Sequence, residues 1–483
     1  MRFALDPATR LADGGAVVIG GSPLVLFRLS PAGTAVARAL AEGKPLPAGH
    51  ESLTRRLLAA GAIHPLPDGG DGPPASTTAA VIPTRDADLA TLTALIGSLH
   101  AEGVRSVTVV DDGSDPPIGA VPGATVQRLE VNRGPGAARN AGAATTTAEI
   151  LVFLDDDTTP SPGWLRAALA HLADERVGLV APRITTVASP QDRGRPGRRS
   201  RCGDLLARYE QWRSPLDLGP SAARIAAGSR VSYVPAAALV VRRATFDAVG
   251  GFDETLRFGE DVDLVWRVAD AGWRCRYEPA ATVGHRPRPT LARWLVQRYR
   301  YGTSAAPLDE RHPGALGAAR VSGWSAMAWG VGALVDPFAG VGIALATTVA
   351  LARKLPPMRH RLTEAFRLAG RGNLFAGRTL AAAITRTWWP LAVLAAVASR
   401  RVRRAVLAAA LVPAGLDWWR DRPPIDPLQA VALHVADDVA YGAGVWAGVI
   451  RHRRMGPLAP GFTAWPPRRR RGAAVRRSSS PAG

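Results

Sequence analysis

Residues 151–160 read LVFLDDDTTP. Leu151 to Leu154 form a short apolar run of the kind that ends a buried parallel strand, and Asp155, Asp156 and Asp157 follow at once. Open α/β sheets bind ligands beyond the carboxyl ends of their strands. Three adjacent carboxylates there repel one another unless cations or hydrogen-bond donors neutralise them. Side chains alternate along extended backbone, so Asp155 and Asp157 point to one side. Two hard oxygen ligands on one face suit Mg²⁺ or Mn²⁺, which complete their shells with phosphate and water. The competing reading is an acidic turn that caps the next helix, because Asp is a favoured N-cap.

The flanking sequence alternates strand and helix. AAVIPTRD from Ala79, VRSVTVVDDGSD, ATVQRLEVN and EILVFLDDD read as strands, with helices predicted over Leu89–His100 and from GPGAARNAG. This alternation predicts a parallel sheet covered on both faces. Gly134-Pro135-Gly136 opens like a dinucleotide fingerprint, but Arg139 stands where the third glycine would allow close helix–strand packing. The turn also follows the third strand rather than the first, which excludes a Rossmann oxidoreductase. Further on, Trp164–Leu172 reads as helix, and RVGLVAPRI, RVSYVPAAALVVRR and RYEPAATVGH as strands. SPQDRGRPGRRSR, 189–201, reads as a basic loop. In GEDVDLVWRVADAGW, Glu260 and Asp261 start a helix, where its dipole stabilises carboxylates whatever their use.

Together VIPTRD, VVDDGS, NRGPGAARNAG, FLDDD and GGFDE…GEDVDLVWRVADAGWR resemble the family 2, GT-A-fold nucleotide-sugar glycosyltransferases over roughly residues 79–285. The resemblance implies that Pro83, Thr84 and Arg85 line the nucleotide pocket, that Asp112 holds the uracil edge, and that Arg139 sits near base and phosphates. It implies Asp155 on the ribose, Asp157 on metal and diphosphate, and Asp156 at a variable, solvated position beside them. Pro235, Ala236 and Ala237 would approach the sugar. Asp261 would be the general base, with Glu260 bracing it or holding the acceptor. His285 would touch the metal or diphosphate; a lone histidine is otherwise more often structural. Gln297, Arg300 and Tyr301 fall in QRYRY, which resembles the QxxRW motif of chain-extending members with Tyr301 in place of Trp. An amphipathic basic helix is the competing reading.

The expected fold class is α/β: a GT-A core over 79–312, a small N-terminal winged-helix-like domain over 1–68, a linker over 69–78, a helical membrane-associated region over 313–455 and a basic disordered tail over 456–483. In the first domain, AVVIGGSPLVLFRL predicts a hairpin turning at Gly20-Gly21. Ser30-Pro31 starts one helix, ESLTRRLLAAG forms a second that stops at Gly61, and Ala62-Ile63-His64 forms a last strand. This pattern resembles PqqD-like domains; a helical cap over the core is the alternative.

From Gly323 apolar runs dominate, although Asp336 interrupts the first and Asp437-Asp438 the last, which is expensive in lipid. Arg353, Lys354, Arg359 and Arg361 flank one run, and Arg400, Arg401, Arg403 and Arg404 another. Such clusters suit an acidic membrane surface on the cytoplasmic face; an Ala-rich bundle in the cytoplasm is the alternative. The net charge of +20 favours anionic partners. No zinc-finger spacing or RNA-recognition signature appears, so no nucleic acid is expected. Two cysteines in 483 residues imply no disulfide framework. The N-terminal residues, with Arg2, Asp6 and Arg10, predict no secretion signal.

The front domain, the GT-A core, RYEQWRSPLDLGP and QRYRYGTSAAPL together resemble the mycofactocin biosynthesis glycosyltransferases. That narrower resemblance implies glucose from UDP-glucose added in β linkage to mycofactocin or a peptide-derived precursor. Two other readings stand beside it: a membrane polysaccharide or lipid-linked sugar transferase, and a non-catalytic scaffold that binds peptide through its first domain.

Overall fold

The computed structural model describes residues 2–67, 70, 72–187 and 201–463. The first part runs β1 (Arg2–Leu5), β2 (Arg10–Ala12), β3 (Val17–Gly20), β4 (Val25–Arg28), α1 (Pro31–Ala41), α2 (Glu51–Ala60) and β5 (Ile63–Leu66). The predicted hairpin is β3–β4, and β2 extends it to three strands; β1 pairs antiparallel with β5. The Ser30 side chain caps α1 by accepting from the Gly33 amide at 3.2 Å, and Gly61 ends α2 at φ 71°. Val18, Phe27, Val36, Leu40, Leu57 and Ile63 close a small core between sheet and helices. β1 and β2 carry no signal in the sequence, because three or four residues show no readable alternation. Asp6 pairs with His64 at 2.8 Å within this part and reaches out of it to Arg230 at 3.0 Å.

The core continues with β6 (Thr78–Thr84), α3 (Leu89–Ala101), β7 (Ser106–Asp112), β8 (Thr125–Leu129), α4 (Pro135–Ala144), β9 (Ile150–Leu154), β10 (Thr158–Pro160), α5 (Trp164–Ala170), β11 (Val177–Thr186), α6 (Arg201–Arg213), β12 (Ala223–Arg224), β13 (Ala238–Arg242), α7 (Arg243–Ala248), α8 (Glu260–Asp270), β14 (Arg274–His285), α9 (Leu291–Thr303) and α10 (Ala305–Arg311). Nine strands form one sheet in the order β10-β14-β11-β13-β9-β6-β7-β8, with β12 on β14. The sheet is mixed rather than wholly parallel. β6, β7, β8 and β9 are parallel, but β13 runs antiparallel to both β9 and β11. Apolar cores cover both faces, one around Leu92, Ile96 and Trp164, the other around Phe153, Leu264 and Tyr277. The basic loop 189–201 lies outside the described residues up to Arg201, where α6 begins.

The rest comprises β15 (Ala319–Val321), α11 (Gly323–Leu334), α12 (Pro337–Lys354), α13 (Arg361–Ala382), α14 (Trp389–Ala398), α15 (Arg400–Asp421), α16 (Pro427–His452) and β16 (Pro460–Phe462). The chain divides into two compact units, one of Met1–Leu316 with Ala414–Pro457 and the other beginning Gly317–Pro413 and resuming at Leu458. The expected single region 313–455 is therefore split. α16 belongs to the first unit, where it lies along α9. Glycines make that approach possible: a Cβ at Gly302 would collide with the Tyr441 carbonyl, and one at Gly444 with the Tyr299 carbonyl. The costly Asp437 is explained by a partner, the Arg298 guanidinium at 3.0 Å, and Asp438 is buried near His434. The apolar run from Gly323 breaks at Asp336, whose carboxylate accepts from the Ala339 amide at 2.7 Å and caps α12. Among the described residues no single helix is long and apolar enough to cross a membrane, although Arg361–Thr387 and Trp389–Ala398, bent by 93°, pass together. Part of the expected tail is ordered, since β16 pairs parallel with β15.

Candidate active site

The apolar β9 delivers Asp155, Asp156 and Asp157 at its carboxyl end, beside the end of β6. Across from them, α8 starts at Glu260. Its N-cap, Gly259, holds φ 82°, and a Cβ there would come within 2.9 Å of Ser304. A side chain at this position would strain the backbone and push α10 away.

Arg139, buried on α4, joins the two acidic groups. Nη2 donates to Asp155 Oδ1 at 2.7 Å and Nη1 to Glu260 Oε1 at 2.9 Å, with the guanidinium 5.3 Å above the Phe252 ring. The small residues of GPGAARNAG let this helix approach; at Gly136 a Cβ would already touch Glu260 Cγ at 3.6 Å. Burial pushes the Glu260 carboxyl up to about 7, the Asp261 charge adding to it and Arg139 opposing. Burial likewise raises Asp261, against hydrogen bonds from the Val262 and Ala236 amides at 2.8 and 3.1 Å. Asp261 makes no ion pair among the described residues, whereas Glu260 is committed to Arg139. The Ala236-Ala237 backbone touches both halves of the site: the Ala237 carbonyl accepts from the Asp155 amide at 3.1 Å.

Asp155, Asp157 and His285 each offer a ligand atom, and these atoms lie within 4.8 Å of one another. Antiparallel pairing of β10 with β14 places His285 opposite Thr158, and so beside the triplet. Two carboxylates and an imidazole at that spacing fit a divalent cation. Arg288, which the sequence reading missed, lies 3.5 Å from Asp157. Its only signal was the basic HRPRPT run after the strand. Asp156 is not simply solvated as expected. The Thr84 hydroxyl donates to it, and burial raises its carboxyl to about 7 with Asp157 and Asp155 adding to the shift.

Other expected residues take different positions. Asp112 is buried, and its oxygens accept from the backbone amides of Arg133 and Gly134 at 2.7 and 2.8 Å. Its carboxylate thus braces the turn into α4. Pro83 is inside β6, and Arg85 is exposed beside Asp86. On α9 the inward cation is Arg298, four residues after the buried Trp294, and Arg300 is turned outward over Phe258 at 5.8 Å. Arg298 bonds Glu210 and Asp437, and accompanies Gln297, whose Oε1 accepts at 3.3 Å. Burial raises the Tyr301 phenol, with Arg298 and Arg288 opposing and Asp261 and Asp155 adding to the shift.

A mixed α/β sheet with an acidic triplet at a strand end, facing a second acidic pair, fits a sugar-transferring enzyme. The profile of the family described as Glycosyl transferase family 2 matches residues 79–234. The chain is 41% identical over 474 residues, 94% of its length and 96% of the relative's, to the pre-mycofactocin glycosyltransferase of Mycobacterium tuberculosis. It is 27% identical over 242 residues to mouse polypeptide N-acetylgalactosaminyltransferase 6, covering 44% of this chain and 38% of that one. Among solved structures, a Pyrobaculum calidifontis mannosyltransferase in complex with GDP-Man and Mn²⁺ matches 80% of this chain and 92% of its own, at 17% identity and TM-score 0.36. The chain belongs to glycosyltransferase family 2.

Proposed function

We propose that the protein transfers glucose from UDP-glucose, with inversion, to a hydroxyl of a mycofactocin precursor, building a β-linked oligosaccharide. The observation that carries the reading is the Arg139 fork, because it draws Asp155 and Glu260 into one cleft. The acceptor follows the name of the 41% identical relative. In this reading Asp261, without an ion-pair partner among the described residues, takes the proton from the acceptor hydroxyl as its oxygen attacks the anomeric carbon. Glu260 and Arg139 hold that helix start in place, Ala236 and Ala237 flank the sugar, and Arg288 lies on the diphosphate side. A divalent cation held by Asp155, Asp157 and His285 would supply charge neutralisation for the departing diphosphate. Incubation with UDP-glucose and the precursor, followed by mass spectrometry, should add hexose increments; no increment would sink the reading.

Asp157→Ala should abolish the Mn²⁺ or Mg²⁺ dependence of UDP affinity, since it removes one of three candidate ligands and leaves Arg288 without its carboxylate. Titration calorimetry with and without metal checks this, and an unchanged metal effect would remove Asp157 from the site.

The pH profile should carry an acid limb above the ordinary carboxylate value of about 4. The raised pKa values favour protonated Glu260 and Asp261, so the base form is lost as pH falls. The limb belongs to the pair rather than to either residue. A kcat/KM profile flat from pH 8 to pH 5 would refute it.

We also infer that the unit around Gly317–Pro413 rests on an acidic membrane surface at the cytoplasmic face. Phe338, Phe375, Leu394 and Val397 are 85%, 65%, 68% and 80% exposed, and the same unit carries Arg371, Arg378, Arg400, Arg401, Arg403 and Arg404. Sedimentation with phosphatidylglycerol vesicles should exceed that with phosphatidylcholine vesicles; equal recovery would contradict the assignment.

A further inference from the structure

At the end of β14 far from His285, a cleft of about 390 Å³ lies between the first domain and the transferase core. Phe3, Leu58 and Pro65 supply one wall, and Arg274 and Arg276 the other. Arg276 is 4% exposed, and among the described residues its Nε and Nη1 have no hydrogen-bond partner. Its acidic neighbours are already engaged. Asp174 is taken by Arg274 at 2.6 Å, and Glu278 by His171 at 2.6 Å. Burial, with Arg274 adding to it, pushes the Arg276 guanidinium down to about 10. A buried cation without a partner costs stability, and local rules are broken in this way at functional or strained sites. The β11 partners of Arg276 and His285, Val180 and Thr186, are six residues apart, about 20 Å at the rise of extended chain, so this is not the acceptor or donor end of the transfer site.

We propose that Arg276 anchors the carboxylate of an organic acid whose apolar body lies against Phe3, Leu58 and Pro65. A guanidinium fork matches a carboxylate in two parallel hydrogen bonds, and the apolar wall opposite suits a body of a few carbons or one ring. The carboxylate has two possible sources, a free organic acid or the C-terminus of a peptide. Its position spanning the first domain and the core makes occupancy a means of fastening one to the other.

The test is calorimetry on the full chain with 3-phenylpropanoate, its neutral amide, inorganic phosphate, and Ac-Ala-Ala-Phe with a free or amidated terminus. The carboxylates should bind saturably and at least tenfold more tightly than their amides, and Arg276→Met should remove the difference. Tighter binding of the free peptide than of phenylpropanoate assigns the site to a chain terminus, and the reverse assigns it to a free acid. Without ligand, Arg276→Met should melt higher than the wild type, because an unpaired buried charge has gone. Arg276→Lys, which keeps charge and loses the fork, should fold and bind at least tenfold more weakly. Binding that ignores the amide substitution, phosphate bound as tightly as the organic acids, or a less stable Arg276→Met with unchanged affinity would each overturn the proposal.

Discussion

Asp261→Asn is expected to slow sugar transfer by on the order of 10³-fold while UDP affinity stays within about twofold, the signature of a lost general base. The substitution is nearly isosteric. The amide oxygen keeps one of the two backbone donors that hold the present carboxylate, the Val262 amide at 2.8 Å or the Ala236 amide at 3.1 Å, while the new NH2 group faces the other and that hydrogen bond is lost. The Arg139 fork, which bonds Asp155 and Glu260, is not part of either contact. What disappears is a site of negative charge able to take a proton, and no neighbour can replace it: Glu260 is ion-paired to Arg139, and Asp155 shares the same guanidinium. The acid limb of the pH profile should weaken with it, since the residual rate no longer depends on ionising this carboxyl. Steady-state kinetics alongside UDP calorimetry separates the outcomes. Wild-type turnover would move the base elsewhere, and a parallel loss of UDP affinity would show that Asp261 supports donor binding instead.

Much of the core was legible because its signals are local. An apolar run that ends in acids can only leave a sheet at one end, so LVFLDDD located β9 and the triplet together. GPGAARNAG located α4, since small residues at the start of a helix permit the close approach the sheet needs. The direction of β13 was not legible. It depends on how residues 231–237 cross under α8 before Ala238 pairs with Leu154, and apolar periodicity is the same for either direction. The backbone contacts of Asp112 were not legible, because DDGS reads identically whether or not the second carboxylate also accepts from two backbone amides. Arg298 was available from helical phase: Trp294, Arg298 and Gly302 form one stripe, and Arg300 is two positions out of it. α16 resembled a lipid-facing helix by hydropathy, but Gly444 and Gly448 were spaced for a close partner, and Asp437 needed a cation that a neighbouring helix supplies.

Arg139→Met should be the most damaging single change to the folded site. It leaves Asp155 and Glu260 facing one another with no cation between them, and breaking a buried ion pair from one side costs about 3–5 kcal/mol. Met fills comparable volume over Phe252, so the loss reflects charge rather than a cavity. The deficit should depend on pH in a definite direction. The folded-state carboxyl of Glu260 already stands raised at about 7 against an unfolded value near 4.5. A carboxyl raised by folding favours the folded state when protonated, and that advantage is lost as pH climbs from the unfolded value through the folded one. Removing Arg139 withdraws the charge that opposes this rise, so the folded value moves higher still and the window widens. Relative to the wild type, the variant should thus be least impaired near pH 5 and most impaired above pH 7. Urea unfolding midpoints at pH 5 and pH 8 measure both deficits. Equal deficits would mean that Arg139 holds α4 by packing on Phe252 alone. A deficit growing with pH, together with loss of transfer at every pH, would tie the stability of the cleft and its chemistry to the same guanidinium.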